Sequence, residues 1–194
     1  MEATLLLQRF ETDLNFDNSV IESRYNKVGL IVYEPSYSSF QPGLQVGAVE
    51  INQNNNPVTA GINPNGNYLG ILFRSLLYDG HPLGLQLEGS YAYYAADKVM
   101  NNQEINLKWH ELIFNIQATL SYDNFYIALG GYSQLLDGDE TAFGTITQTR
   151  QFNENEKSGM HFELQYWVDA TGKIGILVDS GGRQGIGLVF TREF

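Results

Sequence analysis

His161 and Glu163 stand two residues apart, so an extended chain would set an imidazole and a carboxylate on one face. With a second carboxylate from Asp97, Asp137, Asp139 or Glu140, that face could support general-base chemistry at the rim of a sheet. Such chemistry needs the base within hydrogen-bond reach of an oriented acid. The plainer reading is a histidine satisfied by neighbouring carboxylates. The other two histidines add little, because His81 lies in a tight turn and His110 shares the apolar parity of Leu112. No two histidines share a strand at metal-ligand spacing, and the run Asp137-Gly138-Asp139-Glu140 lacks the EF-hand pattern, so no metal is expected. The chain has 0 cysteines, which excludes thiolate chemistry and disulfides. Ser90 and Ser133 have no histidine on their own strands to make a nucleophile pair. No cofactor is expected.

These residues sit in strands. Leu83, Leu85 and Leu87 alternate with Gly84, Gln86 and Glu88. Leu112, Phe114, Ile116, Ala118 and Leu120 alternate with Ile113, Asn115, Gln117 and Thr119. Phe162, Leu164 and Tyr166 alternate with His161, Glu163, Gln165 and Trp167, and Ile174, Ile176 and Val178 with Gly175, Leu177 and Asp179. Period two marks strands with two unlike faces, and no stretch carries a comparable 3.6-residue stripe. The spacing predicts about ten strands, near 3–14, 24–34, 40–52, 67–78, 83–95, 106–121, 125–136, 159–170, 173–180 and 184–194. Eight or twelve are the alternatives. Each is close to the roughly 9–11 residues with which a tilted strand crosses a bilayer. Of the five prolines, Pro35, Pro57, Pro64 and Pro82 fall between the periodic runs, and Pro42 stands at the start of one.

The links fall into two sets that take turns. Residues 79–82, 123–124 and 171–173 form tight turns, with 35–43 a longer member, whereas 15–24, 53–66, 96–105 and 137–158 read as long polar loops, and the last link, 181–183, is short but belongs by order to the long set. An even strand number puts both chain ends on the tight-turn side. No linker or repeat divides the 194 residues, so 1–194 is expected to be one domain.

Composition constrains the surroundings. Lys and Arg number 11 against 22 Asp and Glu, for a net charge of -11, so no nucleic-acid partner is expected. Charged residues are only 17%, little for a sheet face standing in water, and the polar parity is rich in Gly, Gln, Asn and Ser. Tyr78, Tyr91, Tyr93, Tyr94, Trp109, Tyr122, Tyr126 and Tyr166 gather toward run ends, as interfacial rings do. These features favour an aliphatic face turned outward to lipid and a lumen of polar and small side chains. A soluble, lipid-carrying barrel with the aliphatic face inward is the alternative. No run of about 18 apolar residues could form a membrane-spanning helix.

Arg74 and Glu88 share the polar parity of neighbouring strands. If Leu77 pairs with Leu85 across the 79–82 turn, Arg74 stands opposite Glu88, and the two are expected to form a lumen ion pair. Gln86, Asn115, Gln117, Gln165 and Trp167 would fill the remaining space, leaving a plug of side chains or, alternatively, a narrow pore.

Ile186, Leu188 and Phe190 share a parity with Phe194. In this alternation ending on Phe, the chain resembles the bacterial outer-membrane β-barrel proteins, although Arg192 stands where that family usually has an aromatic. The resemblance implies a closed antiparallel up-and-down transmembrane barrel, with short periplasmic turns, long extracellular loops and both termini periplasmic. It implies a signal peptide removed upstream of Glu2, insertion by the barrel-assembly machinery reading Ile186, Leu188, Phe190 and Phe194, and contact with outer-membrane lipid and lipopolysaccharide. The family includes ten-stranded omptin proteases, which would make His161 and Glu163 candidate catalytic residues, but no omptin spacing is visible here. The expected function is a non-enzymatic surface protein whose loops 53–66 and 137–158 contact envelope or surface partners. A rim hydrolase or a porin-like narrow channel is the alternative.

Overall fold

The computed structural model describes residues 1–17, 19–35, 39–59 and 61–194. The period-two runs form eleven antiparallel strands. They are β1 (Glu2–Phe16), β2 (Ser19–Tyr33), β3 (Phe40–Gln53), β4 (Asn65–Gly80), β5 (Leu83–Met100) and β6 (Gln103–Tyr122). The rest are β7 (Phe125–Gly144), β8 (Gln148–Glu154), β9 (Ser158–Trp167), β10 (Gly172–Gly181) and β11 (Gln184–Glu193). Ten of them form a ring in chain order that skips β8: β7 pairs with β9 through Leu129↔Phe162, and β11 returns to β1 through Leu7↔Leu188. Glu2 pairs with Glu193, so both described chain ends lie at one end of the barrel, called here the terminal end.

The eleventh strand corrects the expectation for 137–158. Its first third continues β7, and β8 then pairs with both β7 (Asp139↔Gln151) and β1 (Phe16↔Phe152). Strands β9, β10 and β11 stop about half-way up, and β8 bridges the gap above them. The ring therefore has ten strands at the terminal end and eight, β1 to β8, at the distal end. Two other expected loops are also mostly strand. The 15–24 link shrinks to residues 17–18 and the 96–105 link to Asn101-Asn102, both of which have positive φ (50° and 61°) as a two-residue hairpin turn requires. Among the described residues the asymmetry between the two ends lies in strand length, and 54–64 is the one long distal link.

The two heights of the barrel are built oppositely. Near the terminal end the outward side chains are Leu5 and Leu7, Leu30, Val46, Leu69 and Ile71, Phe114 and Ile116, Ile176 and Leu188, all exposed. The inward ones there include Thr4, Gln8, Gln45, Gln86, Asn115, Gln117 and Gln165. Near the distal end the outward side chains become Arg9, Glu11 and Asp13, Glu22 and Arg24, Glu104, Asn106 and Lys108, Asp137 and Asp139. The inward ones become Leu14, Phe16, Ile21, Ile51, Ile105, Leu107, Leu136 and Phe152, a single buried apolar cluster. Val20, Val99 and Phe143 are exposed exceptions at the distal tips. Except at a bulge in β4 between Leu76 and Tyr78, parity holds along the strands while its chemistry reverses. In β6 the change falls between His110 and Leu112 outside and between Trp109 and Glu111 inside. His110 lies on this border, its Nδ1 2.5 Å from the Tyr91 hydroxyl and its ring 5.0 Å from that of Tyr93.

Candidate functional site

Four layers fill the interior, and the lid at the distal mouth is the first. Loop 54–64 folds inward, burying Val58 and Ile62 against the apolar cluster. Its Asn56 side chain donates to Gln53 Oε1 (2.8 Å) and Glu140 Oε2 (2.9 Å), while Arg150 Nη2 donates to Asn56 Oδ1 (2.9 Å). Arg150 also pairs with Glu140, which is 0% exposed. The loop expected to reach outward is a clamped plug. Glu140 is part of that clamp, and Asp137 and Asp139 face outward on the wall.

Beneath the apolar cluster lies a floor of rings. Tyr68 stacks on Tyr94 (5.0 Å between centroids), Tyr94 on Trp109 (4.5 Å), and Tyr25 meets Trp109 (5.8 Å) and stacks on Phe10 (4.8 Å). Each such pair is worth about 0.5–1.5 kcal/mol beyond its burial. Glycine makes room for the floor: a Cβ on Gly29 would stand 1.9 Å from the Tyr68 hydroxyl oxygen.

The third layer is a buried charge network under the rings. Lys27 Nζ donates to the Tyr94 hydroxyl (2.6 Å), lies 4.7 Å from the Tyr68 centroid and stands 4.0 Å from Glu111. The Tyr94 hydroxyl in turn donates to Glu111 Oε2 (2.7 Å). Arg183 reaches Glu111 (3.6 Å) and Asp179 (3.9 Å), and its guanidinium caps the Phe10 ring at 4.2 Å. Asp179 accepts from Gln8 (3.0 Å) and bonds His161 Nδ1 (2.7 Å). Buried charges survive only when paired and hydrogen-bonded, and this chain of alternating signs pairs each of them, although Arg183 Nε is left without an acceptor.

The fourth layer is an open polar cavity of about 630 Å³ at the terminal end, lined among others by Glu2, Tyr33, Arg74, Glu88, His161 and Glu163. Arg74 does stand opposite Glu88, although the register is set by a bulge between Leu76 and Tyr78, and Leu85 pairs with Tyr78 rather than with Leu77. The expected ion pair is nonetheless not made. Arg74 Nη2 pairs with Glu2 (3.1 Å), Nε donates to Gln41 (2.8 Å), and the guanidinium covers the Tyr33 ring at 4.3 Å. Facing residues on neighbouring strands need not meet when a better-placed carboxylate lies one layer nearer the opening. Glu88 instead accepts from Gln86 (2.6 Å). Trp167 is covered by Lys173, whose Nζ is 4.1 Å from the ring centroid.

His161 and Glu163 both line the lumen, as their shared parity requires, but at mid-barrel rather than at the distal rim. The carboxylate that orients His161 is Asp179, two strand positions of the β9–β10 ladder away from Leu177, which faces Glu163. The network partners Lys27, Glu111 and Arg183 were missed. The sequence does carry a trace of two of them, since Glu111 interrupts the parity Ile105, Leu107, Trp109, and Lys27 that of Ile21 and Tyr25. Among the described residues no cluster of three or more His, Asp or Glu is placed to hold a metal. Ile186, Leu188 and Phe190 face outward in the apolar belt, and Phe194 is 73% exposed.

No protein-family model and no curated protein matches the sequence. The fold does have counterparts. The translocator domain of the autotransporter NalP from Neisseria meningitidis superposes with a TM-score of 0.54 at 8% identity, covering 99% of this chain and 88% of that one. The outer membrane protease OmpT from Escherichia coli superposes with a TM-score of 0.52 at 9% identity, covering 98% and 94%. At these identities the likeness is one of fold: this chain is built as a transmembrane β-barrel of the outer-membrane kind.

Proposed function

We propose that the protein is an integral barrel of a bacterial outer membrane, non-enzymatic and non-conducting, that carries a rigid platform above the bilayer. The observation that carries this reading is the reversal of face chemistry half-way up the strands. An uncharged apolar exterior over a polar interior suits lipid, whereas a charged exterior over an apolar core suits water. The terminal half would span the membrane with both chain ends periplasmic. The distal half would stand outside, its border ring of Tyr91, Tyr93 and His110 at headgroup depth beside lipopolysaccharide. Outward Ile186, Leu188 and Phe190 on β11 supply the apolar face for the barrel-assembly machinery to read. The lid, the apolar cluster and the aromatic floor leave the polar cavity open only from below, which argues against a channel and against a rim hydrolase built on His161.

Spin labels on the refolded barrel in vesicles test this. Labels at Leu30, Ile116 and Leu188 should be relaxed by oxygen dissolved in lipid, and labels at Glu22, Asn106 and Asp139 by a water-soluble nickel chelate. Planar bilayers should show no steady conductance. Aqueous access at all six positions would return the protein to the soluble class, and steady current would make it a pore.

A further inference from the structure

Among the described residues, the carboxylates facing the interior come in two kinds. Glu2, Glu111, Glu140, Glu154, Asp179 and Glu193 each have a basic nitrogen within 4.0 Å. Glu88 and Glu163 have none, and neither does Glu34, which is exposed at the cavity mouth. The basic groups that line their cavity are already engaged: Arg74 with Glu2, Lys173 with Glu193 and His161 with Asp179. Glu88 and Glu163 each accept one amide hydrogen bond from a glutamine two residues away, Gln86 to Glu88 and Gln165 to Glu163, both at 2.6 Å. A carboxylate can only accept, so these bonds fix which way each amide points. The Gln165 Oε1 atom is thereby left without a partner on a cavity-lining side chain only 9% exposed. An unmatched buried acceptor beside an uncompensated anion is a site short of donors and of positive charge.

The spacing says what shape of cation fits. Between Glu88 on β5 and Glu163 on β9 lie β6 and β7, with Asn115 opposite Glu88 and Ala128 opposite Glu163. Followed through Asn115 and Tyr132, Glu88 lies level with Gly159 on β9, four residues from Glu163, so three strand spacings of about 4.8 Å and a rise of about 13 Å along the strand put the two positions roughly 20 Å apart round the wall, and nearer across the lumen. One metal ion could not be held by both. We propose that the terminal-side cavity binds a small elongated organic dication, an aliphatic di- or polyamine, with one ammonium at Glu88 and another at Glu163 and Gln165 Oε1. The cavity of about 630 Å³ is of ordinary size for such a ligand. Charge-assisted hydrogen bonds at each end would supply the affinity, and the Tyr33 and Tyr126 walls would enclose the methylene chain.

The test is calorimetric titration of spermidine, and separately of calcium chloride, into the refolded full chain in zwitterionic micelles at low salt. Saturable spermidine binding near one to one is expected. It should weaken at least tenfold in Glu88→Gln and in Glu163→Gln, vanish in the double variant, and persist in Asp139→Asn on the outer wall. Folding is checked at the same time. Neutralising an unpaired lumen charge should leave the ligand-free melting temperature unchanged or higher, and spermidine should raise that of the wild type but not of the double variant. Absence of saturation, a melting shift that survives in the double variant, or calcium binding through these glutamates without spermidine binding would each overturn the proposal.

Discussion

The two halves of this barrel share their strands, their register and their alternation, yet they solve opposite problems. In the terminal half Leu5, Leu30, Ile71, Ile116 and Leu188 are exposed and the lumen carries Gln86, Asn115, Gln117 and Gln165, the arrangement an apolar solvent outside would call for. In the distal half Trp109, Leu107, Ile105 and Phe16 fill the lumen while Glu104, Asn106 and Lys108 cover the wall. The difference teaches that "hydrophobic inside" is a statement about the medium outside. Narrowing from ten strands to eight belongs to the same logic, because an eight-stranded interior is just wide enough for side chains to fill. A ten-stranded one leaves room, and here that room is the polar cavity below the charge network.

The comparison breaks most visibly at the aromatic floor. Trp109 is 2% exposed and touches both Tyr94 and Tyr25, so Trp109→Ala removes the ring that ties the floor together. A loss of about 3–5 kcal/mol is expected in denaturant unfolding. The same truncation of Leu30 on the lipid face should cost far less in detergent, where its partners are mobile chains.

A sharper test moves one charge along one strand. Ile116→Lys, outward in the apolar belt of β6, should cost roughly 2–4 kcal/mol when unfolding is measured from a bilayer. Asn106→Lys, outward ten residues earlier on the same strand, should fall within about 0.5 kcal/mol of wild type. Equal costs at the two positions would erase the distinction between the halves.

The smallest effect concerns pairing inside the terminal half. Double-mutant cycles of Arg74→Met with Glu2→Gln and with Glu88→Gln should give unequal couplings, about 1 kcal/mol for the first and less for the second. The guanidinium touches Glu2 and Gln41 and only faces Glu88 in register. A larger coupling to Glu88 would show that register alone decides lumen pairing.

Much of this was legible in the residues. Period-two alternation from Leu83, Leu112, Phe162 and Ile174 determined an all-β chain, and the low charge with glutamine-rich polar faces favoured an outward aliphatic parity for the whole barrel, which holds in the terminal half and reverses in the distal half. His161, Glu163, Arg74 and Glu88 were placed in the lumen by parity alone. Parity is local, fixed by the pleat of the extended chain. What the tertiary structure decided is everything that depends on height and on non-neighbouring strands. Strand β8 bridges β7 and β1 across a gap that exists only because β9, β10 and β11 are short. Loop 54–64 turns inward because an apolar mouth waits for Val58 and Ile62. Asp179, from the next strand, orients His161, and Arg74 finds Glu2 on a strand that is not its neighbour. Ring closure brings such residues together from as far apart as Gln8 and Asp179, and a sequence read in windows of a few residues contains no term for that distance.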